Sequence, residues 1–356
     1  DTDAPKPSST SDMALRSKAQ VLMKAWRTSD KDDTKKAIEV RDSMAAPSVE
    51  EWSTLRLPYR VDDSPDLLSW EKPKEATDKE RLNENMGMHY EAENLLFLAE
   101  NLPQLRIPTL LAAWTLENSY NNPIFCHMTR YIDGVRLDGL EQFPSMSIKA
   151  QDIICAKVSA QIAYLRTFPR EGWYYGRIRR QGWMQPPDSI MKNRSVHWTP
   201  TAPHNSFEEF TASIIGAYEL REAQRDDESE WSPEFVGRRN KLASALKDWG
   251  PQEPKLTWLD PKFKNMVAVP IGGDAESATD WDVFLVDWED FGWYPAWVQG
   301  LQFAGRCGAF TRTKDRYNPI NAHREDEIYQ MMLKDFDPGF DWERRKMLEG
   351  TRWRFY

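Results

Sequence analysis

"LTWLDPKFKNMVAVPIGGDAESATDWDVFLVDWED", residues 256–290, is the stretch on which the reading of the fold turns. Two apolar runs, Met266 to Pro270 and Trp281 to Val286, flank Gly272, Gly273 and Asp274, residues that reverse a chain. Runs of this kind pair as an antiparallel hairpin. In a hairpin, the residues before the first strand and after the second lie at the same open end. Asp260 and Asn265 precede the first run, and Asp287 follows the second. The spacing therefore gathers two acids and an amide at one end of one hairpin.

Two carboxylates and an amide form an all-oxygen donor set for a hard cation, with Mg²⁺ the first choice. Phosphoryl transfer needs the same parts. One acid orients the attacking hydroxyl and accepts its proton, while a second carboxylate and an amide hold Mg²⁺. Asp260 suits the first role as a catalytic residue, and Asn265 and Asp287 suit the second as metal ligands. The plain alternatives are a turn aspartate before Pro261, a solvent-facing asparagine and a strand-end carboxylate.

Outward from the hairpin, bulk properties exclude several classes. Lys and Arg number 47 against 56 Asp and Glu, a net charge of -9, and no basic block is present, so nucleic acid is not an expected partner. No apolar run reaches the ~18 residues of a membrane span and no signal-type apolar region opens the chain, so a cytoplasmic protein without membrane association is expected. The three cysteines have no CxxC spacing and read as buried thiols of a reducing compartment. The five histidines lack zinc-ligand spacing. A small-molecule substrate is the remaining expectation. Of the 16 tryptophans, Trp258, Trp288, Trp293 and Trp297 read as packing residues.

Residues 1–12 are polar and expected to be a disordered tail. A helix is expected from Met13 to Trp26, capped by Asp12 or Ser11, and another near Ser48. "TLRLPYRV" (54–61) reads as a strand broken by Pro58. No glycine occurs before Gly87, whereas a loop that wraps phosphates with backbone N–H groups relies on glycine. "YEAENLLFLAENL" (90–102) reads as a helix and is followed by two strands, in which Cys126 and His127 are expected core residues. Ile154, Val158, Ile162 and Leu165 mark a helix from Ile148 to Thr167. Ser206 with Glu209 reads as a capping box opening another helix, and residues 232–249 form a third. Arg179-Arg180 reads as a solvated basic turn.

At this point "YEAENLLFLAENLPQLRIPTLLAAW" (90–114), "MTRYIDGVRL" (128–137), "LRTFP" (165–169), "YYGRI" (174–178), "FEEF" (207–210) and "LVDWEDFGWYPAW" (285–297) carry a resemblance. Together they resemble the aminoglycoside phosphotransferase and choline kinase-like superfamily, in particular its large fungal branch. The resemblance implies an α+β, protein-kinase-like, two-lobed fold. An atypical N-terminal lobe would span 13–117, and a mainly helical C-lobe carrying the catalytic hairpin would span 118–356. It implies transfer of the ATP γ-phosphate to a hydroxyl of a small molecule, in the setting of secondary metabolism. Asp260 matches the catalytic-loop aspartate, Asn265 and Asp287 the Mg²⁺ ligands, and Glu91, with Glu93 as the alternative, the helix glutamate that serves the nucleotide through a lysine. The literal Asp-Phe-Gly at 290–292 falls three residues past the strand end and is a decoy.

The departures lie on the nucleotide side. Trp258 and Leu259 stand where histidine and glycine are usual, no glycine-rich loop has a counterpart, and Lys72 and Lys74 bracket Pro73 instead of lying in a strand. Two rivals follow. One keeps the fold but performs acid–base chemistry on an apolar metabolite in a Trp-rich cavity, and the other is a non-catalytic binding protein.

Overall fold

A computed structural model describes residues 14–30, 53–62, 82–117, 123–137, 142–182, 203–225, 229–247, 252–306 and 330–336, with a few isolated positions besides. The expected tail at 1–12, the helix near Ser48, Lys72, Lys74 and Cys307 lie outside them.

The described chain is a mixture of helices and antiparallel strands. Helix α1 (Lys18–Trp26) starts later than expected. Its cap is Ser17, whose side chain accepts from the Gln20 N–H while the Gln20 side chain accepts from the Ser17 N–H. This reciprocal pair satisfies two terminal donors at once, and the expected caps Asp12 and Ser11 lie outside the described residues. Helix α1 lies on α4 (Phe207–Ala223), where Val21 and Leu22 pack against Leu220 and Ala223. Ion pairs to the buried Glu219 fasten that contact, with the half-buried Arg16 reaching it at 2.7 Å and Arg239 closing on the other carboxylate oxygen at 3.0 Å.

Strands β1 (Tyr59–Arg60), β2 (Leu110–Glu117) and β3 (Pro123–Thr129) form one antiparallel sheet in that order. Helix α2 (Leu82–Asn101) packs across β2 and β3 through Ala92, Leu95 and Leu98. This helix starts eight residues before Tyr90 and absorbs Gly87, whose cost of about 1 kcal/mol tertiary packing overrides. A Cβ at Gly87 would meet the Glu289 carboxylate at 2.0 Å, so the glycine leaves room for that side chain.

A second sheet has the order β4 (Val135–Arg136), β6 (Met266–Ile271), β7 (Asp280–Leu285). The β6–β7 pair is the hairpin read from the sequence, running from Met266 opposite Leu285 to Ile271 opposite Asp280. Asp274 ties its turn by accepting from the Glu276 and Ser277 N–H groups. Strand β5 (Pro254–Trp258) pairs with β8 (Phe291–Pro295). Helix α3 (Ile148–Arg166) covers β7 and β5, and the predicted stripe Ile154, Val158, Ile162 and Leu165 is fully buried against Val283, Leu285, Trp258 and Trp293.

Helices α4, α5 (Pro233–Lys247) and α6 (Trp297–Arg306) build a second apolar core around Phe210, Phe235, Leu242 and Trp297. Ser206 caps α4 as read, but the reciprocal half differs: Glu209 accepts from the N–H of Asn205 rather than of Ser206. Among the described residues no helix is long and apolar enough to cross a membrane.

Candidate active site

The loop after β5 folds back on itself. Lys262 N–H donates to the Asp260 carbonyl and Asn265 N–H to the Lys262 carbonyl, both at 2.8 Å. The one-turn 3₁₀ helix Phe263–Asn265 is pinned by Phe263, buried against Phe143 with ring centroids 4.5 Å apart. That turn returns the Asn265 amide toward Asp260. Its Nδ2 lies 3.1 Å from Asp260 Oδ2 and 3.0 Å from Asp287 Oδ2. The hairpin thus brings all three expected residues into one hydrogen-bonded cluster, with Asp260 and Asn265 only 6% and 2% exposed. Asp260 does precede a turn, but its carboxylate faces inward rather than capping that turn in solvent.

Asp287 adopts a left-handed backbone, φ 65°, a conformation that costs a non-glycine residue and persists only when neighbours enforce it. Here the neighbours are numerous. Val286 N–H donates to the Asn265 carbonyl at 2.9 Å, and the Trp258 indole N–H donates to the Asp287 carbonyl at 3.1 Å. One residue on, Glu91 accepts from the Trp288 N–H at 3.2 Å and Asn94 donates to the Trp288 carbonyl at 2.7 Å. Glu91 and Asn94 are three apart on α2 and so share a face. Helix α2 therefore grips both polar groups of the Trp288 backbone.

Trp258 is itself gripped. Gln299 accepts from its N–H and donates to its carbonyl, both at 2.9 Å, and its ring stacks on Trp288 at 5.4 Å. Trp258, Trp288, Trp293 and Trp297 are sealed in the core at 1% exposure or less. They line no solvent-reaching cavity.

Charge in the cluster is uneven. Burial pushes the Asp287 carboxyl above the usual aspartate range and the Asp260 charge adds to it, while Lys262 and the Asn265 amide pull it back. Glu91 is likewise raised, first by burial, against the opposing pull of His127 and the Trp288 N–H. Lys262 places its ammonium on the Asp260 carboxylate and 3.9 Å from Asp287 Oδ2, so one built-in cation serves both acids. Among the described residues no three His, Cys, Asp or Glu side chains group as metal ligands; the donor set here is two carboxylates and an amide.

Glu91, expected to work through a lysine, instead meets His127 of β3 at 3.6 Å. His127 is thus part of the site's edge rather than a core residue, with Nδ1 3.2 Å from the Met88 carbonyl. Glu93 sits about 200° further round the helix and belongs to a different network. It is buried with Arg177, accepts from Thr54 at 2.7 and 2.8 Å, and receives Gln181 at 3.0 Å. Arg177 in turn packs 3.7 Å over the Tyr90 ring. Arg179 and Arg180 are both left-handed, φ 56° and 58°, and are engaged rather than merely solvated. Arg179 bonds Thr54, and Arg180 donates to Asn205 at 2.7 Å. Phe291 and Gly292 of the Asp-Phe-Gly triplet lie in β8, and a Cβ at Gly292 would stand 2.5 Å from the Gly176 carbonyl. That glycine permits a close strand approach.

Four residues of the cluster escape a reading based on acids alone. Lys262 follows Asp260 by two, a spacing visible in "DPKFKN". Lys264 and Arg136 are joined by a 2.8 Å bond from Arg136 Nε to the Lys264 carbonyl, which only the β4–β6 pairing creates. The hydrogen bond of Trp258 is equally a product of the fold.

The structural neighbours are aminoglycoside phosphotransferases. APH(2'')-Ib with ADP bound is 13% identical, with 78% of this chain and 84% of that chain covered, at a TM-score of 0.37. APH(2'')-IIa in a streptomycin–ATP ternary complex is 15% identical over 72% and 80%, also at 0.37. The gentamicin complex of APH(2'')-IIa is 14% identical over 76% and 81%, at 0.36. No protein-family model matches the chain, and no curated protein matches it. At TM-scores below 0.5 the likeness decides neither fold nor chemistry.

Proposed function

We propose that the chain is a Mg²⁺-dependent phosphotransferase of protein-kinase-like architecture that moves the ATP γ-phosphate to a hydroxyl of a small molecule. The observation that carries this reading is the Asn265 amide, within 3.1 Å of both Asp260 and Asp287, with Lys262 against the two acids. A buried acid beside a half-buried one favours a cation between them, and this pair already holds one.

Mg²⁺ suits the same donors. Asp287 offers carboxylate oxygens, and a half-turn of the Asn265 terminal torsion exchanges its NH₂ for Oδ1. Bound there, the ion supplies charge neutralisation to the triphosphate. Asp260 orients the acceptor hydroxyl and takes its proton as the oxygen–phosphorus bond to the acceptor forms and the bond to ADP breaks. Lys262 contributes positive charge where the transferred group carries negative charge. Glu91 and Trp258 act on Asp287 through its backbone surroundings and are positioning residues.

This reading is preferred to acid–base chemistry in a Trp-rich cavity because the four tryptophans are sealed in the core. Thermal unfolding with and without Mg-ATP tests it. ATP at about 100-fold above its Kd stabilises by roughly 2.7 kcal/mol, and the expected rise in Tm is absent in Asp287→Asn. No shift at millimolar Mg-ATP overturns the proposal.

A further inference from the structure

Three cations converge on the Asp260 side of the cluster. Lys262 touches both acids, Lys264 lies beside it, and Arg136 reaches in from β4 to bond the Lys264 carbonyl. Lys262 has carboxylate partners; Lys264 and Arg136 have no ion pair among the described residues. Like charges held together by a backbone turn repel one another unless an anion joins them.

The charge count sharpens the point. The formal charges of Asp260 and Asp287 sum to -2, which one divalent ion cancels. Lys264 and Arg136, both exposed, are then left without a protein counter-charge among the described residues, beside Lys262 on its acids. Direction matters too. Helix α2, with Glu91 backed by His127 of β3, approaches Asp287, whereas β4 and the 3₁₀ turn approach Asp260. Asp260 is the acid assigned to the acceptor hydroxyl.

We propose that Arg136 and Lys264, with Lys262 behind them, form an oxyanion subsite for the acceptor, so that the phosphorylated alcohol carries a phosphate or carboxylate group of its own. The assignment of this subsite to the acceptor rests on the phosphotransferase reading. Arginine and lysine together suit such a group, the guanidinium as a directional fork and the ammonium as a mobile point charge. A cationic acceptor would be repelled from the same place.

The test is calorimetric titration of inorganic phosphate into the full chain saturated with Mg²⁺ and a non-hydrolysable ATP analogue. Phosphate is expected to bind saturably. Lys264→Gln and Arg136→Gln each weaken it by about tenfold, the loss of one charge-assisted contact, with nucleotide affinity unchanged. Arg136→Lys keeps most of the affinity, which separates lost charge from a disturbed turn. Equal phosphate affinity in Lys264→Gln and the unaltered chain overturns the subsite. Exclusion of phosphate by the analogue also overturns the acceptor assignment, because the cations then serve the γ-phosphate. Failure of the analogue to bind at all defeats the phosphotransferase reading, yet phosphate binding lost in Lys264→Gln would still uphold the anion site.

Discussion

The indole N–H of Trp258 donates to the backbone carbonyl of Asp287 across 3.1 Å, joining the end of β5 to the left-handed residue that follows β7. A buried carbonyl left without that donor costs about 1–3 kcal/mol, and here the loss would fall on the conformation that aims the Asp287 carboxylate. Trp258→Phe keeps the ring stack on Trp288 and removes only the N–H. The expected outcome is a kcat lower by about tenfold with KM for ATP little changed. Trp258→His returns an N–H on a smaller ring and should recover part of kcat. Equal kcat in Trp258→Phe and the unaltered chain would reduce the indole to packing.

Glu91 makes a separable prediction. Its Oε1 accepts from the Trp288 N–H while Asn94 holds the Trp288 carbonyl, so the contact needs an acceptor oxygen rather than a charge. Glu91→Gln retains that oxygen and should keep activity within about threefold, whereas Glu91→Ala should lose about tenfold or more. A steady-state comparison decides it. If Gln fares as badly as Ala, the glutamate works as an anion, for the nucleotide or for His127 at 3.6 Å.

The parts legible in the sequence are those whose signals are local. Alternation around Gly272-Gly273-Asp274 located the hairpin, and with it Asp260, Asn265 and Asp287. The four-residue steps of Ile154, Val158 and Ile162 located α3. What escaped depends on distant partners. The partner of Glu91 comes from β3, that of Glu93 from a loop 84 residues away, and the Arg136–Lys264 bond from a strand pairing across 128 residues. The start of α1 was misjudged because Ser11, Asp12 and Ser17 are all good caps, and Gln20 decides among them. Tryptophan at position 258 read as packing because burial hides its polar edge.

The Glu93–Arg177 pair is almost fully buried, its side chains 0% and 1% exposed, and it links α2, the Thr54 segment and the "YYGRI" loop. Burial alone would raise Glu93, but Arg177, Thr54 and Gln181 together hold it below the usual glutamate range. Arg177→Met should cost about 3–5 kcal/mol in urea unfolding, because it strands a buried carboxylate. Adding Glu93→Gln to Arg177→Met should recover part of that loss. A double variant that is simply the sum of two large single losses would refute a paired role.

His89 sits beside that network with Nε2 2.6 Å from Ser53 Oγ. Burial, with Arg177 adding to it against Glu93, lowers its pKa from 6.5 to about 4. The unfolded chain therefore takes up this proton at higher pH than the folded one. The resulting stability is complete above pH 6.5 and is lost progressively as pH falls toward about 4. Unfolding free energies measured across that window should fall with pH, and His89→Gln should flatten the slope. An unchanged slope in the variant would place the titration elsewhere.

Asp287 predicts an opposition between stability and activity. Burial and the neighbouring Asp260 charge raise its pKa, so ionising it costs more in the folded chain than in the unfolded one. The stability tied to its protonated form is complete below the ordinary aspartate range and lost as pH rises through the elevated folded value. Asp287→Asn copies the protonated form and still accepts from the Asn265 amide. In metal-free buffer at pH 8 it should melt above the unaltered chain, and the gain should shrink as pH is lowered toward 3.8. Phosphoryl transfer by the same variant should drop by about 100-fold or more, because the neutral amide is a poorer ligand for a hard cation. A variant less stable than the unaltered chain at pH 8 would mean that Lys262, not the repulsion from Asp260, sets the energy of this carboxylate.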